Sequence, residues 1–212
     1  MTQYLNFVTD FPTRCNEILS TYTEDATRKG REVTLMLAIA SAGINVPYER
    51  LAKSNHPSRN RENLTTAREL LDDLSEQYFL SSELCQNDQG ENDQHSWKYG
   101  GPLRTVEGEP RTWPELGEPD AMQQDETVGT VLRHVRNALA HGNIFTYEST
   151  TTAGEIQSII FLSKPKMNAP QFNYLIVSPT DFHKFLRSWF RFLKHLEPDI
   201  SREVTTRGGE LA

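Results

Sequence analysis

Cysteine is scarce in this chain. Cys15 and Cys85 stand far apart and outside any metal-ligand spacing. That argues against a disulfide framework or a thiolate zinc site, and for a reduced, cytoplasmic protein. Long apolar runs are missing as well: the longest, Leu35–Ile44, is too short to span a bilayer and fits a buried helix. No basic start precedes an apolar run at the amino end, so neither a secretion signal nor a membrane partner is expected. Familiar catalytic signatures are equally thin. There is no Gly-rich phosphate loop, no His-Glu-x-x-His, no Gly-x-Ser-x-Gly turn and no carboxylate pair at a recognisable spacing. No metal and no cofactor is therefore expected.

With 212 residues, 36% of them hydrophobic, the chain can bury one respectable core. A single domain over residues 1–198 is expected, with a polar insertion at 86–124 and a flexible tail at 199–212. The net charge of -7 opposes indiscriminate duplex binding, which leans on many phosphate contacts. A local basic cleft on an acidic body remains compatible with a selective anion site.

The stretch Val128–Asn143 supplies such a patch. Val128, Leu132, Val135 and Leu139 recur at helical spacing and form one apolar stripe. Gly142 follows as a carboxyl-terminal cap, which leaves His141 accessible at the helix end. Away from the stripe lie Arg133, His134, Arg136, Asn137 and His141, and no acidic residue occurs from Thr127 to Tyr147. Arg133, Asn137 and His141 share a face at i, i+4 and i+8, with Arg136 on its flank. Guanidinium groups can donate to an anion there, and a histidine can exchange a proton near neutrality. Arg136 and His141 are five positions apart, about 140° around a helix, so one regular helix cannot aim both at one point. From the residues alone, Arg136 better fits an arginine that reaches a carboxylate, and His141 a histidine that satisfies helix carbonyls.

The segment RNALAH, Arg136 to His141, resembles the R-x-x-x-x-H signature of HEPN domains, including the Asn after the Arg and the place near the end of an amphipathic helix. The downstream order of two strands and an aromatic helix starting at SPTDF is similar to small stand-alone HEPN proteins. The likeness covers roughly Asp10 to Glu197. It departs at the polar segment after Gln86 and at Asn143, where HEPN toxins paired with nucleotidyltransferases usually carry a Tyr. The resemblance implies a mainly α fold, a HEPN-like helical bundle with a small two-stranded antiparallel hairpin before the last helix. It implies a metal-independent endoribonuclease, a toxin or antiviral defence effector, that leaves a cyclic phosphate and a 5′-hydroxyl. Arg136 and His141 would be catalytic, and Asn137, Arg133, His134 and Asn143 would contact substrate. The implied partners are RNA, a second copy of the chain and an antitoxin or inhibitor. A non-catalytic HEPN-like module for dimerisation, nucleotide binding or protein interaction is the alternative.

Elsewhere the periodicity predicts a helix from Pro12 through Ile18, Leu19 and Tyr22, with Asp10 as its cap. A central helix is expected at Val33–Ala42, a short helical turn from Pro47 to Ala52, a turn at His56-Pro57-Ser58, and a helix over Glu62–Leu80. Gln86 to Gln124 reads as a long loop whose Trp97, Tyr99 and Trp113 repeat at no period, either a mobile surface insertion or a folded lid pinned by those aromatics. The two tryptophans could stack on substrate bases, and deletion of Gln89–Pro119 is expected to leave the fold intact. Glu155–Leu162 and Phe172–Val177 read as a hairpin joined through a Lys-Pro-Lys stretch. The last helix, from Pro179, buries Phe182, Phe185, Leu186, Trp189, Leu193 and Leu196. Its Lys184, Arg187, Arg191 and Lys194 form a solvated basic stripe. His56, His95, His183 and His195 are expected to be surface or structural residues.

Overall fold

The computed structural model describes residues 7–52, 64–86, 95–104, 106–114, 116, 121–149, 151–152, 154–166 and 168–196. The His56-Pro57-Ser58 turn and the tail after Pro198 lie outside them. Six α-helices are seen among these residues: α1 (Asp10–Arg28), α2 (Glu32–Gly43), α3 (Asn45–Ala52), α4 (Thr65–Glu76), α5 (Val128–His141) and α6 (Pro179–His195). None of the helices described is long and apolar enough to cross a membrane.

Helix α2 touches α1, α3, α5 and α6, as its near-absence of charge predicts for a central helix. On α1 the buried positions are Pro12, Cys15 and Leu19. Ile18 and Tyr22, expected on the apolar face, are exposed. The reason lies in the spacing: Cys15 and Leu19 are i, i+4 partners, whereas Ile18 and Tyr22 form the neighbouring row. Asp10 is the first residue of the helix, and the cap position is held by Thr9. Helices α5 and α6 begin with true side-chain caps. Thr127 accepts from the Thr130 amide, and Ser178 accepts from the Asp181 amide with Pro179 in the first turn.

Four strands complete the fold: β1 (Lys98–Leu103), β2 (Ile144–Glu148), β3 (Ile156–Ser163) and β4 (Phe172–Val177). They form one antiparallel sheet in the order β1-β4-β3-β2. The hairpin expected from the sequence is thus the centre of a larger sheet. Strand β2 was hidden because it is only five residues long and is separated from the α5 cap by one residue, too short to show an alternation against that helix. Strand β1 contains Gly100, Gly101 and Pro102, residues that depress β propensity, and it pairs with β4 across a register shift.

The alternation along the central strands divides the interior in two. Ile159, Phe161, Leu175 and Val177 face the helices and join their core. Ile160, Leu162, Tyr174 and Ile176 face the other way and are covered by Leu103, Trp113 and Leu116. For the described residues between 95 and 124 the expectation of a mobile loop is therefore corrected. Trp97 and Trp113 are both only 2% exposed. The Trp97 ring meets Phe79 and Phe185 edge-on at 4.9 and 5.5 Å, and Trp113 meets Phe145 at 4.9 Å. Neither can stack on a substrate base. Fully burying a large side chain contributes about 1.5–3 kcal/mol, enough to hold a polar segment in place without regular periodicity.

Candidate functional site

Helix α5 carries the signature residues and is held on two sides. Towards α4 its Gly129 permits close approach, since a Cβ there would lie 3.1 Å from the Ser75 carbonyl oxygen. Towards the sheet it packs on β3. Its apolar face is wider than the four-residue stripe. Val131 and Ala138 are buried together with Val128, Leu132, Val135 and Leu139. Gly142 ends the helix with φ +69°, a left-handed conformation that glycine adopts without a Cβ penalty. The Asn143 amide then donates to the Ala138 carbonyl at 3.0 Å, and the Asn143 carbonyl accepts from Leu162 of β3 at 2.9 Å. These bonds turn the chain from α5 directly into β2 and bring the end of α5 beside the β3–β4 turn.

A groove of about 550 Å³ opens at that junction. Arg133, Asn137, His141 and Asn143 form one wall. Ser163, Lys164, Pro165, Lys166 and Phe172, from the end of β3, the turn and the start of β4, form the other. Among the described residues no carboxylate lines it. The expected face at i, i+4, i+8 is present, and Asn143 joins it. His141 is exposed, and so are Arg133, Lys164 and Lys166. The Lys164 ammonium sits 5.4 Å from the centre of the Phe172 ring. Three fixed cations, a histidine and two side-chain amides thus converge on one concavity of an acidic protein. Such a lining favours a phosphate-bearing ligand, with arginine able to donate two parallel bonds and lysine acting as a point charge.

Two residues assigned to this surface from the sequence are elsewhere. His134 is only 1% exposed, and it lies under the sheet side of α5 rather than on the polar face. Its Nδ1 hydrogen bonds with the Ser163 hydroxyl, its ring meets Tyr99 at 5.1 Å, and its Nε2 is buried with no hydrogen-bond partner among the described residues. Burial, assisted by the Arg133 charge, pushes its pKa down to about 4. It is therefore neutral at physiological pH and no direct contact for RNA. Its place follows from Val131 and Ala138, which stand at i-3 and i+4 from it and carry the apolar face across its position.

Arg136 does not line the groove. Its guanidinium pairs with the Glu49 carboxylate of α3 and lies 5.3 Å from the centre of the Tyr48 ring. A second bond, 2.7 Å to the Asn137 side-chain oxygen, is its link to the groove wall. Its Nε is buried with no hydrogen-bond partner among the described residues. The reading of Arg136 as an arginine reaching a carboxylate describes this single chain, as the five-residue spacing from His141 allows.

Lys164 and Lys166 were missed in the sequence, where Lys-Pro-Lys read only as a connector. A signal was present. Residues 156–180 contain no Asp or Glu, a second acid-free stretch besides that around α5.

Among the described residues no three His, Cys, Asp or Glu side chains gather to hold a metal ion. Both cysteines are free, and burial pushes each thiol up to about 11.

A helical bundle whose fifth helix ends in Arg-x-x-x-x-His beside a basic groove defines the class as HEPN. The sequence model of the family described as HEPN pEK499 p136 matches residues 1–199, and the chain belongs to that family. No curated protein and no solved structure matches the chain.

Proposed function

We propose that this HEPN protein is a metal-independent endoribonuclease acting as a toxin or defence effector, with a composite active site between two copies of the chain. The observation that carries this reading is the basic groove at the end of α5, without a carboxylate among its described residues, where His141 stands among Arg133, Asn137, Asn143, Lys164 and Lys166. RNA cleavage of this kind needs a base for the 2′-hydroxyl, an acid for the leaving 5′-oxygen, and positive charge against the transition state. One His141 cannot serve as base and acid in the same step. Two chains on a two-fold axis bring two copies of His141 to one cleft, so that one takes the 2′-hydroxyl proton while the other protonates the 5′-oxygen. The products are a cyclic phosphate and a 5′-hydroxyl. The groove cations hold the phosphate, and Arg136 acts from the flank through Asn137, or enters the cleft after release from Glu49.

The test is cleavage of RNA in EDTA by the purified chain. Activity is expected in the wild type and absent in His141→Ala. A wild type without activity, or a variant as active as the wild type, ends the enzyme reading. The shared cleft is tested by light scattering: a preparation that still cleaves RNA while its mass is that of one chain overturns it. Expression without inhibitor should arrest growth, and a paired antidote should relieve the arrest.

A second reading rests on Arg136. Its charge is already met by Glu49, as suits a HEPN module that binds a partner without catalysis. In that case Arg136→Ala and His141→Ala leave partner capture unchanged, and expression does not slow growth.

A further inference from the structure

The groove has a partly buried polar support that the signature residues do not explain. Asn173 of β4 donates to the Tyr99 hydroxyl at 3.1 Å, and the Tyr99 ring meets the His134 ring at 5.1 Å. The His134 Nδ1 bonds the Ser163 hydroxyl. Ser163, the last residue of β3, is only 3% exposed, but unlike His134 and the two tryptophans it belongs to the groove lining, at the point where α5 meets the sheet. The alternation of β3 puts Ser163 on the same side as Ile159 and Phe161, the side that faces α5. A string of side chains thus runs from the start of β4, under α5, to the groove.

We propose that Ser163 is a phosphate-binding residue of the groove, and that His134 is the positioning residue that aims its hydroxyl. This rests on the reading of the groove as an RNA site and adds to it a ligand group outside the signature. The chemistry is that of a hydroxyl with one hydrogen and two lone pairs. With the imidazole proton on Nδ1, His134 donates to the Ser163 oxygen, and the Ser163 hydrogen is left to donate to an anion. The Nε2 lone pair then carries no hydrogen, so its lack of a partner costs less than a buried unpaired N–H would. In the other tautomer Ser163 donates to Nδ1, and the buried Nε2–H is left without a hydrogen-bond partner. An incoming phosphate accepts from Ser163 and so favours the Nδ1–H form. Burial that keeps His134 neutral supports this, because the histidine then holds one proton that can move between its two nitrogens. A histidine that merely filled the core would show no dependence on what occupies the groove.

The test is a titration of the full chain with inorganic phosphate, followed through the imidazole nitrogen signals of labelled histidines by NMR. In the wild type, phosphate is expected to shift the His134 signals toward the Nδ1–H form along one binding curve with the changes at His141. Ser163→Ala should weaken phosphate binding by about tenfold, the order of one hydrogen bond to a charged group, and silence the His134 response while His141 still responds. Ser163→Thr, which retains the hydroxyl, should restore both. A short 2′-O-methylated RNA, which cannot be cleaved, should move the same two histidines if the bound anion is a backbone phosphate. RNA binding that leaves His134 unmoved would overturn the inference for RNA. His134 signals that stay fixed while phosphate saturates His141 overturn the inference and leave the groove intact as an anion site. Silence at both histidines overturns the inference together with the anion-binding groove. The wild-type titration decides this even if a variant does not fold.

Discussion

Arg136 and His141 share one helix but not one neighbourhood: Arg136 is paired with Glu49 of α3, whereas His141 lines the groove against the β3–β4 turn. Both side chains of the pair are about a quarter exposed, 24% for Arg136 and 28% for Glu49. Its strength is therefore that of a partly solvated bridge. A double-mutant cycle of Arg136→Gln and Glu49→Gln, read by urea unfolding, should give a coupling of about 1 kcal/mol. If Glu49 restrains Arg136 from the cleft, Glu49→Gln should raise cleavage. A fall in activity would instead make Glu49 a support of the site.

Lys164 and Lys166 should set the salt dependence of RNA binding. Each lysine that neutralises a phosphate contributes roughly 0.7 to the slope of log affinity against log salt for a single strand. Lys164→Gln with Lys166→Gln should thus lower the slope by roughly 1.4 and leave thermal stability unchanged, since both side chains are exposed. An unchanged slope, measured by fluorescence anisotropy over a salt series, would place RNA elsewhere on the molecule.

The segment after Gln86 should be indispensable. Deleting Gln89–Pro119 removes Trp97, Leu103, Trp113 and Leu116, all nearly inaccessible, and uncovers the outer face of the sheet. The expected result is an unfolded or aggregated chain by circular dichroism. Trp97→Ala alone should cost about 3–5 kcal/mol in urea unfolding.

Stability should fall as pH drops from 6.5 towards 4. In the fold His134 stays neutral down to about 4, while the same residue in an unfolded chain takes up a proton near 6.5. Between these values the unfolded chain binds more protons, so its contribution is complete above 6.5 and is lost progressively below. The slope from this group is at most about 1.4 kcal/mol per pH unit. Burial, aided by Arg187, lowers His183 in the same direction. A flat urea midpoint between pH about 7 and about 5 would contradict this account. His134→Gln, if folded, should flatten much of the profile.

The thiols should be slow. With Cys15 and Cys85 both raised to about 11 by burial, the thiolate fraction at neutral pH falls by roughly a hundredfold relative to an exposed cysteine. Modification by a disulfide reagent should therefore be fast only after denaturation.

How much of this was legible in the chain follows from how far each cause reaches along it. Helix α5, its Gly142 cap, the polar row of Arg133, Asn137 and His141 and the central hairpin are all written in neighbouring residues. Helical and strand periods, a capping glycine and an absence of acids are local properties. Tertiary structure decided the rest. His134 looked polar because its sequence neighbours Arg133 and Arg136 are polar, but Val131 and Ala138 extend the buried face around it. Only the approach of β3 shows where that face ends. Strand β1 has a weak local pattern and exists because β4 offers it an edge, and Trp97 and Trp113 are buried by surfaces distant in sequence. The groove itself joins residues 133–143 to residues 163–172. No periodicity along a chain records which turn will lie against which helix end, because that choice is made by packing the sheet on the bundle.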